Sequence, residues 1–127
     1  LLFEVDALFC NDDRHLNNIA VLQENGAYSY CPIFDNGAGL LSNTQLSRMD
    51  IEPAALIAAL KARPFLTTFT RQRNAARSLF GTQLRMPTLT AAEIREVLSP
   101  SLEFYPVRDR GAITDRVTAC ILLRQRV

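Results

Sequence analysis

The amino-acid sequence predicts a mostly α-helical protein with one β-hairpin, an α+β fold. Three observations point there. Asn25-Gly26, the favoured two-residue type I′ turn, lies between two β-prone runs. Helix-capping signals bracket the stretches around it, among them Thr90-Ala-Ala-Glu93 and Gly81. Near the end of the chain Ile113, Val117 and Ile121 recur at a spacing of four.

Taken in order, Leu1 to Phe9 ("LLFEVDALF") is apolar nearly all round and predicts a buried helix stopping at Cys10-Asn11. Ile19 to Phe34 predicts the hairpin. With Asn25 and Gly26 in the turn, Glu24 faces Ala27 and the numbers of facing residues sum to 51. Residues 35–48, with Gly37 and Gly39, read as a loop. Pro53 opens a helix to about Lys61, stopped by Pro64. A second runs from about Thr68 to Phe80, with Gly81 as its C-terminal cap. The Thr90–Glu93 capping box starts a third, ending before Pro100. The last helix carries Ile113, Val117 and Ile121 and is weakened by Gly111 near its start. No repeat, low-complexity tract or linker divides the chain, so residues 1–127 are expected to form a single domain.

The chain has 127 residues and is 48% hydrophobic, which allows a core without disulfides. Its three cysteines, Cys10, Cys31 and Cys120, match neither a disulfide framework nor a zinc site and read as small apolar fillers. No apolar run is long enough to span a bilayer and no secretory signal is evident, so a reducing cytoplasm is expected and a membrane partner is not. The first residue is not methionine and Leu1–Phe9 already reads as structure, so a piece of something longer is expected. The net charge of +1 hides an asymmetry: residues 1–52 hold eight acids and two bases, and residues 53–92 hold six bases and no acid. The basic stretch is expected to fold against the acidic one rather than to bind nucleic acid. Arg71, Arg73 and Arg77 read as a solvated helix face, and Tyr28 and Tyr30 as packing one face of the hairpin.

The chemistry is concentrated in residues 11–18, "NDDRHLNN", which hold three side-chain amides, two carboxylates and the only histidine. Carried down the hairpin ladder, the register sets Asp35 opposite Leu16. The end of the octet and the start of "DNGAG" therefore meet at the open end of one hairpin. Asp13, Asn18 and Asp35 can converge there, and three oxygen-bearing side chains suit a hard cation such as Mg²⁺. The alternative for each is plain turn chemistry, with Asx-turns at Asp13 and Asn18 and a turn at Asp35-Asn36-Gly37.

The order of the parts goes further. In a protein-kinase catalytic loop the base Asp lies five residues before a metal-binding Asn, and a hairpin then leads to a second metal-binding Asp. Asp13, Asn18, the Asn25-Gly26 hairpin and Asp35-x-Gly37 repeat that order. In this arrangement Asp13 accepts the proton of an attacking hydroxyl, while Asn18 and Asp35 hold magnesium on the ATP phosphates.

"NDDRHLNNIAVL" followed by "PIFDNGAGL" resembles the catalytic segment of HipA-like serine/threonine kinases, over about residues 9–42. The D-R-H-x-x-N form is also similar to the catalytic loop of phosphoinositide 3/4-kinases. The resemblance implies a kinase-like C-lobe and ATP and Mg²⁺ as cofactors. It implies Asp13 as catalytic base, and Asn18 and Asp35 as ATP- and magnesium-binding residues. His15 matches the motif histidine, orienting the loop or approaching phosphate. It further implies a protein substrate phosphorylated on Ser or Thr and, as in toxin–antitoxin pairs, an antitoxin partner.

Two parts of a kinase are missing from the sequence. The five glycines never form a Gly-rich phosphate loop, and the sole lysine, Lys61, follows the catalytic motifs instead of preceding them. The N-lobe is thus absent, and the 127 residues alone are expected to be inactive. The competing expectation is a non-catalytic helical interaction module derived from a kinase. A His-Asn-His nuclease would need a second histidine.

Overall fold

The structure is a computed structural model that describes residues 1–126. It is mostly helical with one two-stranded antiparallel sheet. Helix α1 (Leu2–Phe9) leads through a 3-10 turn (Leu16–Asn18) into strands β1 (Val21–Glu24) and β2 (Ala27–Tyr30). A loop containing the 3-10 turn Gly39–Leu41 then reaches α2 (Pro53–Ala59) and α3 (Phe69–Phe80). Helix α4 (Ala91–Leu98) follows, and two further 3-10 turns (Ser99–Phe104, Val107–Asp109) join it to α5 (Arg110–Arg124).

Local chemistry accounts for most of these boundaries. Pro53 stands in the first turn of α2, where its missing N–H costs no hydrogen bond. The Thr68 hydroxyl accepts from the Arg71 N–H to start α3, and Gly81 closes that helix at φ 70. Thr90 and Glu93 form the reciprocal capping box of α4. The hairpin register is Val21↔Tyr30, Leu22↔Ser29, Gln23↔Tyr28 and Glu24↔Ala27, each pair summing to 51 as the turn predicts. Asn25 and Gly26 both take positive φ, as a type I′ turn requires.

The strands are shorter than expected, four residues each against a hairpin predicted from Ile19 to Phe34. Pro32 has no N–H to offer a ladder on the returning side. Every strand residue is exposed, so Tyr28 and Tyr30 pack against no face of the sheet.

The core lies in two clusters, and α5, which supplies most of the second, also touches α1 and α2. One joins Ala7, Cys10, Ala62 and Phe69, with Ile57 and Leu60 packed on it. The other joins Ile94 of α4 to Ile113, Val117 and Ile121 of α5, the stripe read at spacing four. Helix α1 inverts the expected pattern. Its buried residues are Glu4, Asp6 and Ala7, while Leu2, Phe3, Val5 and Leu8 are only half-buried. Two carboxylates on the inner face demand partners, and those partners build the rest of the molecule. Among the described residues no helix is long and apolar enough to cross a membrane.

Candidate functional site

Helix α1 ends because Cys10 takes the left-handed conformation (φ 53, ψ 38) and its N–H returns to the Asp6 carbonyl. The chain leaves the helix directly into the octet. Asn11, only 1% exposed, bridges the two: its Nδ2 donates to Asp6 Oδ1 at 3.2 Å and its Oδ1 accepts the Asp13 N–H at 3.2 Å. The second bond is an Asx-turn, so turn chemistry does operate here.

The centre of the octet is Arg14, which has no exposed surface at all. Its Nε and Nη2 donate to the Asp6 carboxylate at 3.0–3.3 Å. Its Nη1 donates to the carbonyls of Asn18 (3.0 Å) and Phe34 (2.6 Å), and Nη2 also reaches Asn36 Oδ1 at 2.6 Å. One guanidinium thus ties α1, the end of the octet and the "FDN" segment into a single unit. A planar fork with five donors can do this; a lysine ammonium could not span the same acceptors. Burial pushes the Asp6 carboxyl above its ordinary range, opposed by the bonds from Arg14 and Asn11.

Around this hub stand the four residues that the sequence singles out. Asp13 is half-exposed and its Oδ1 accepts from Arg63 Nη1 at 3.0 Å. Its main-chain carbonyl accepts from Asn18 Nδ2 at 3.0 Å. Asn18 is buried, and since its amide nitrogen faces Asp13, its Oδ1 is the end that could face a cation. Asp35 is exposed and left-handed at φ 52, between Phe34 and Asn36, which Arg14 holds. Leu40 and Leu41 share that uncommon backbone region, so the segment after Asp35 is unusually constrained. Gly39 is pressed against the end of α1: a Cβ there would stand 3.3 Å from the Phe9 carbonyl oxygen. His15 lines an open cleft of about 620 Å³ with Leu16, Arg63, Pro64 and Leu66.

The structure therefore brings Asn18 and the Asp35 segment to one guanidinium and joins Asp13 to Asn18 by a direct hydrogen bond. An Asp carboxylate and an Asn amide oxygen are hard donors of the kind magnesium accepts alongside phosphate and water. Among the described residues, no group of three or more His, Cys, Asp or Glu side chains is gathered to hold a metal without such outside ligands. Burial pushes the Asp12 carboxyl up, with the Asp13 charge adding to the effect.

Three contributors escaped the sequence reading: Arg14, Asp6 and Arg63. The available signal was an acid at position 6 inside an otherwise apolar helix, which calls for a buried cation nearby. The expectation for the α3 arginines also needs correction. Arg73 is 8% exposed and Arg77 Nε donates to the buried Glu4 at 2.7 Å, so only Arg71 of the three lies on a solvated face. Arg77–Glu4 and Arg63–Asp13 do pair the basic stretch with the acidic one. Comparison with known proteins finds no matching family model, no matching curated protein and no matching solved structure.

Proposed function

We propose that the chain is the catalytic half of an ATP- and Mg²⁺-dependent phosphotransferase, a HipA-like Ser/Thr kinase. The observation that carries this reading is the Arg14 fork, which holds the Asn18 and Phe34 carbonyls on one nitrogen. Asp13 and Asp35, far apart in sequence, thereby belong to one local framework.

In this reading Asp13 orients a Ser or Thr hydroxyl and takes its proton as the hydroxyl oxygen bonds to the γ-phosphorus and the bond to ADP breaks. Its Oδ2 is the atom for that task, since Oδ1 is engaged by Arg63. Asn18 and Asp35 would hold magnesium, which would supply positive charge against the phosphates. His15, which lines the cleft that also contains Arg63, orients the loop or approaches phosphate. The exposed apolar hairpin residues Val21, Leu22, Tyr28 and Tyr30 fit contact with an N-lobe. A cytoplasmic location and an antitoxin partner belong to the same proposal.

A second reading is favoured by the Asp13–Arg63 pair and the same exposed hairpin residues: a non-catalytic helical interaction module derived from a kinase. In that case the Asp13 carboxylate serves the ion pair and no hydroxyl. One experiment separates the two. The 127 residues should bind ATP·Mg²⁺ weakly, bind it more tightly once an N-lobe carrying a Gly-rich loop and a strand lysine is restored, and then transfer phosphate. Steady transfer by the 127 residues alone would contradict the half-site reading. No nucleotide binding in either form would leave the interaction module.

A further inference from the structure

The cleft of about 620 Å³ beside Asp13 takes its walls from two segments distant in sequence. His15, Leu16 and Asn17 of the octet form one wall, and Arg63, Pro64 and Leu66 form the other. The first is tied to Asp13 through the backbone, since the His15 N–H donates to the Asp13 carbonyl at 2.8 Å. The second is tied to it by the Arg63–Asp13 ion pair at 3.0 Å. The cleft therefore begins at the carboxylate that takes the hydroxyl proton in the kinase reading.

The loop over residues 62–67 is braced from three directions. The Ala62 N–H donates to the Thr67 carbonyl at 2.7 Å, and the Gln72 side-chain amide donates to the Arg63 carbonyl at 2.8 Å. The Phe65 ring meets the Phe3 ring edge-on at 5.9 Å. Leu66, held in this loop, takes the left-handed backbone region at φ 53 and is 67% exposed. That backbone is uncommon for a leucine, and its side chain gains nothing from water. Leu16 faces the same cleft at 73% exposure. Exposed leucines scattered singly need no explanation. Two of them, brought together with Pro64 on a braced wall next to Asp13, do need one, and a solvated loop tip does not supply it.

We propose that this cleft binds a polypeptide segment through an apolar side chain within two residues of the serine or threonine that is phosphorylated. The identity of that hydroxyl rests on the kinase reading; the recognition of the side chain rests on the cleft alone. An extended segment advances ~3.3 Å per residue, so a side chain one or two residues away reaches past the ion pair into the cleft. The charge of Arg63 is answered by Asp13. The walls thus favour a leucine or methionine over an acidic side chain.

Amide NMR titration of the 127-residue chain tests this with three short peptides. In each a serine is flanked on both sides by two leucines, two glycines or two aspartates. The leucine peptide should shift the His15, Leu16 and Leu66 resonances saturably, and the other two should bind at least roughly tenfold more weakly. Leu16→Ser and Leu66→Asn should each weaken the leucine peptide several-fold. Both positions are exposed and asparagine accepts left-handed backbone, so the circular dichroism spectrum should not change. In a protein with both lobes, Leu66→Asn should raise KM for the leucine peptide roughly tenfold and leave that for the glycine peptide as in wild type. No saturable shift at the cleft, equal affinity for the three peptides, or wild-type affinity in both variants overturns the proposal, whatever the two-lobed protein does. Filling of the cleft by the leucine peptide without phosphate transfer by the two-lobed protein overturns the kinase reading and retains the cleft as a peptide site.

Discussion

Arg14 and Asp6 meet as a buried ion pair at 3.0 Å, with 0% and 1% of their side chains exposed. Breaking such a pair from one side leaves an uncompensated charge in the interior, which costs about 3–5 kcal/mol. Arg14→Met should therefore lower unfolding stability by about that amount in urea titrations. A loss below ~1 kcal/mol would show that water reaches Asp6 and that the hub is not as closed as the geometry indicates.

Glu4 supplies an acid-sensitive part of the stability. Burial alone would raise its carboxyl, but the bonds from Arg77, Leu84 and Gln83 outweigh burial and lower it from the ordinary value of 4.5. A carboxyl lowered on folding contributes stability that is present above its unfolded value and is lost as pH falls through the folded one. Stability should thus decline below about pH 4.5. Glu4→Gln should flatten that decline while costing roughly 1–3 kcal/mol at neutral pH. Thermal melts at a series of pH values would decide. An unchanged acid limb in Glu4→Gln would assign the effect to another carboxyl.

The cysteines should separate by reactivity. Burial pushes the Cys10 thiol up to about 12 and the Cys120 thiol up to about 11, and neither has exposed surface. Cys31 is half-buried. Only the thiolate attacks a disulfide reagent, so at pH 8 the native protein should release about one equivalent of thionitrobenzoate. All three thiols should react after unfolding. Rapid modification of two or three thiols in the native state would contradict the packing around Cys10 and Cys120.

If the proposed kinase function holds, Asp13→Asn and Asp35→Asn should differ in a protein with both lobes. Removing a general base lowers the rate typically ~10²–10⁴-fold, so Asp13→Asn should lose phosphotransfer by about that factor with little change in ATP·Mg²⁺ affinity. Asp35→Asn should shift magnesium dependence and weaken nucleotide binding as well. Titrations of ATP and Mg²⁺, after both variants are shown to fold, provide the comparison. Wild-type turnover and binding in both would reduce the octet to a structural loop.

Local signals were legible in the sequence and long-range pairings were not. The Asn25-Gly26 turn sets its own register, and the Thr90–Glu93 box and Gly81 satisfy groups three or four residues away. Such features depend on neighbours in sequence. Arg14 depends on Asp6, Phe34 and Asn36 at once, the last two 20 and 22 residues distant. A polar octet gives no local sign that its arginine is fully buried. The misjudged Arg73 and Arg77 share that cause, since Arg77 is paired with Glu4, 73 residues earlier in the chain. At the candidate site, the register is seen only as far as Val21↔Tyr30, and beyond it Arg14 rather than the ladder ties the Asn18 and Phe34 carbonyls together. The Asp13–Arg63 contact spans 50 residues and has no local sign either.

The hairpin has a further consequence for motion. Neither face of its two strands is covered, so its backbone hydrogen bonds are shielded from water by little more than each other. It is pinned at its root, where Arg14 grips the carbonyls just before and just after it, and free at its tip. Such a ribbon opens locally at a small fraction of the global unfolding free energy. Its amides should exchange with deuterium well before those of α5, while the root stays protected. The outer edge of each strand also keeps unpaired N–H and C=O groups turned to solvent. In mechanical terms the ribbon is a flap on a rigid hinge: its tip can swing without displacing Asn18 or Asp35.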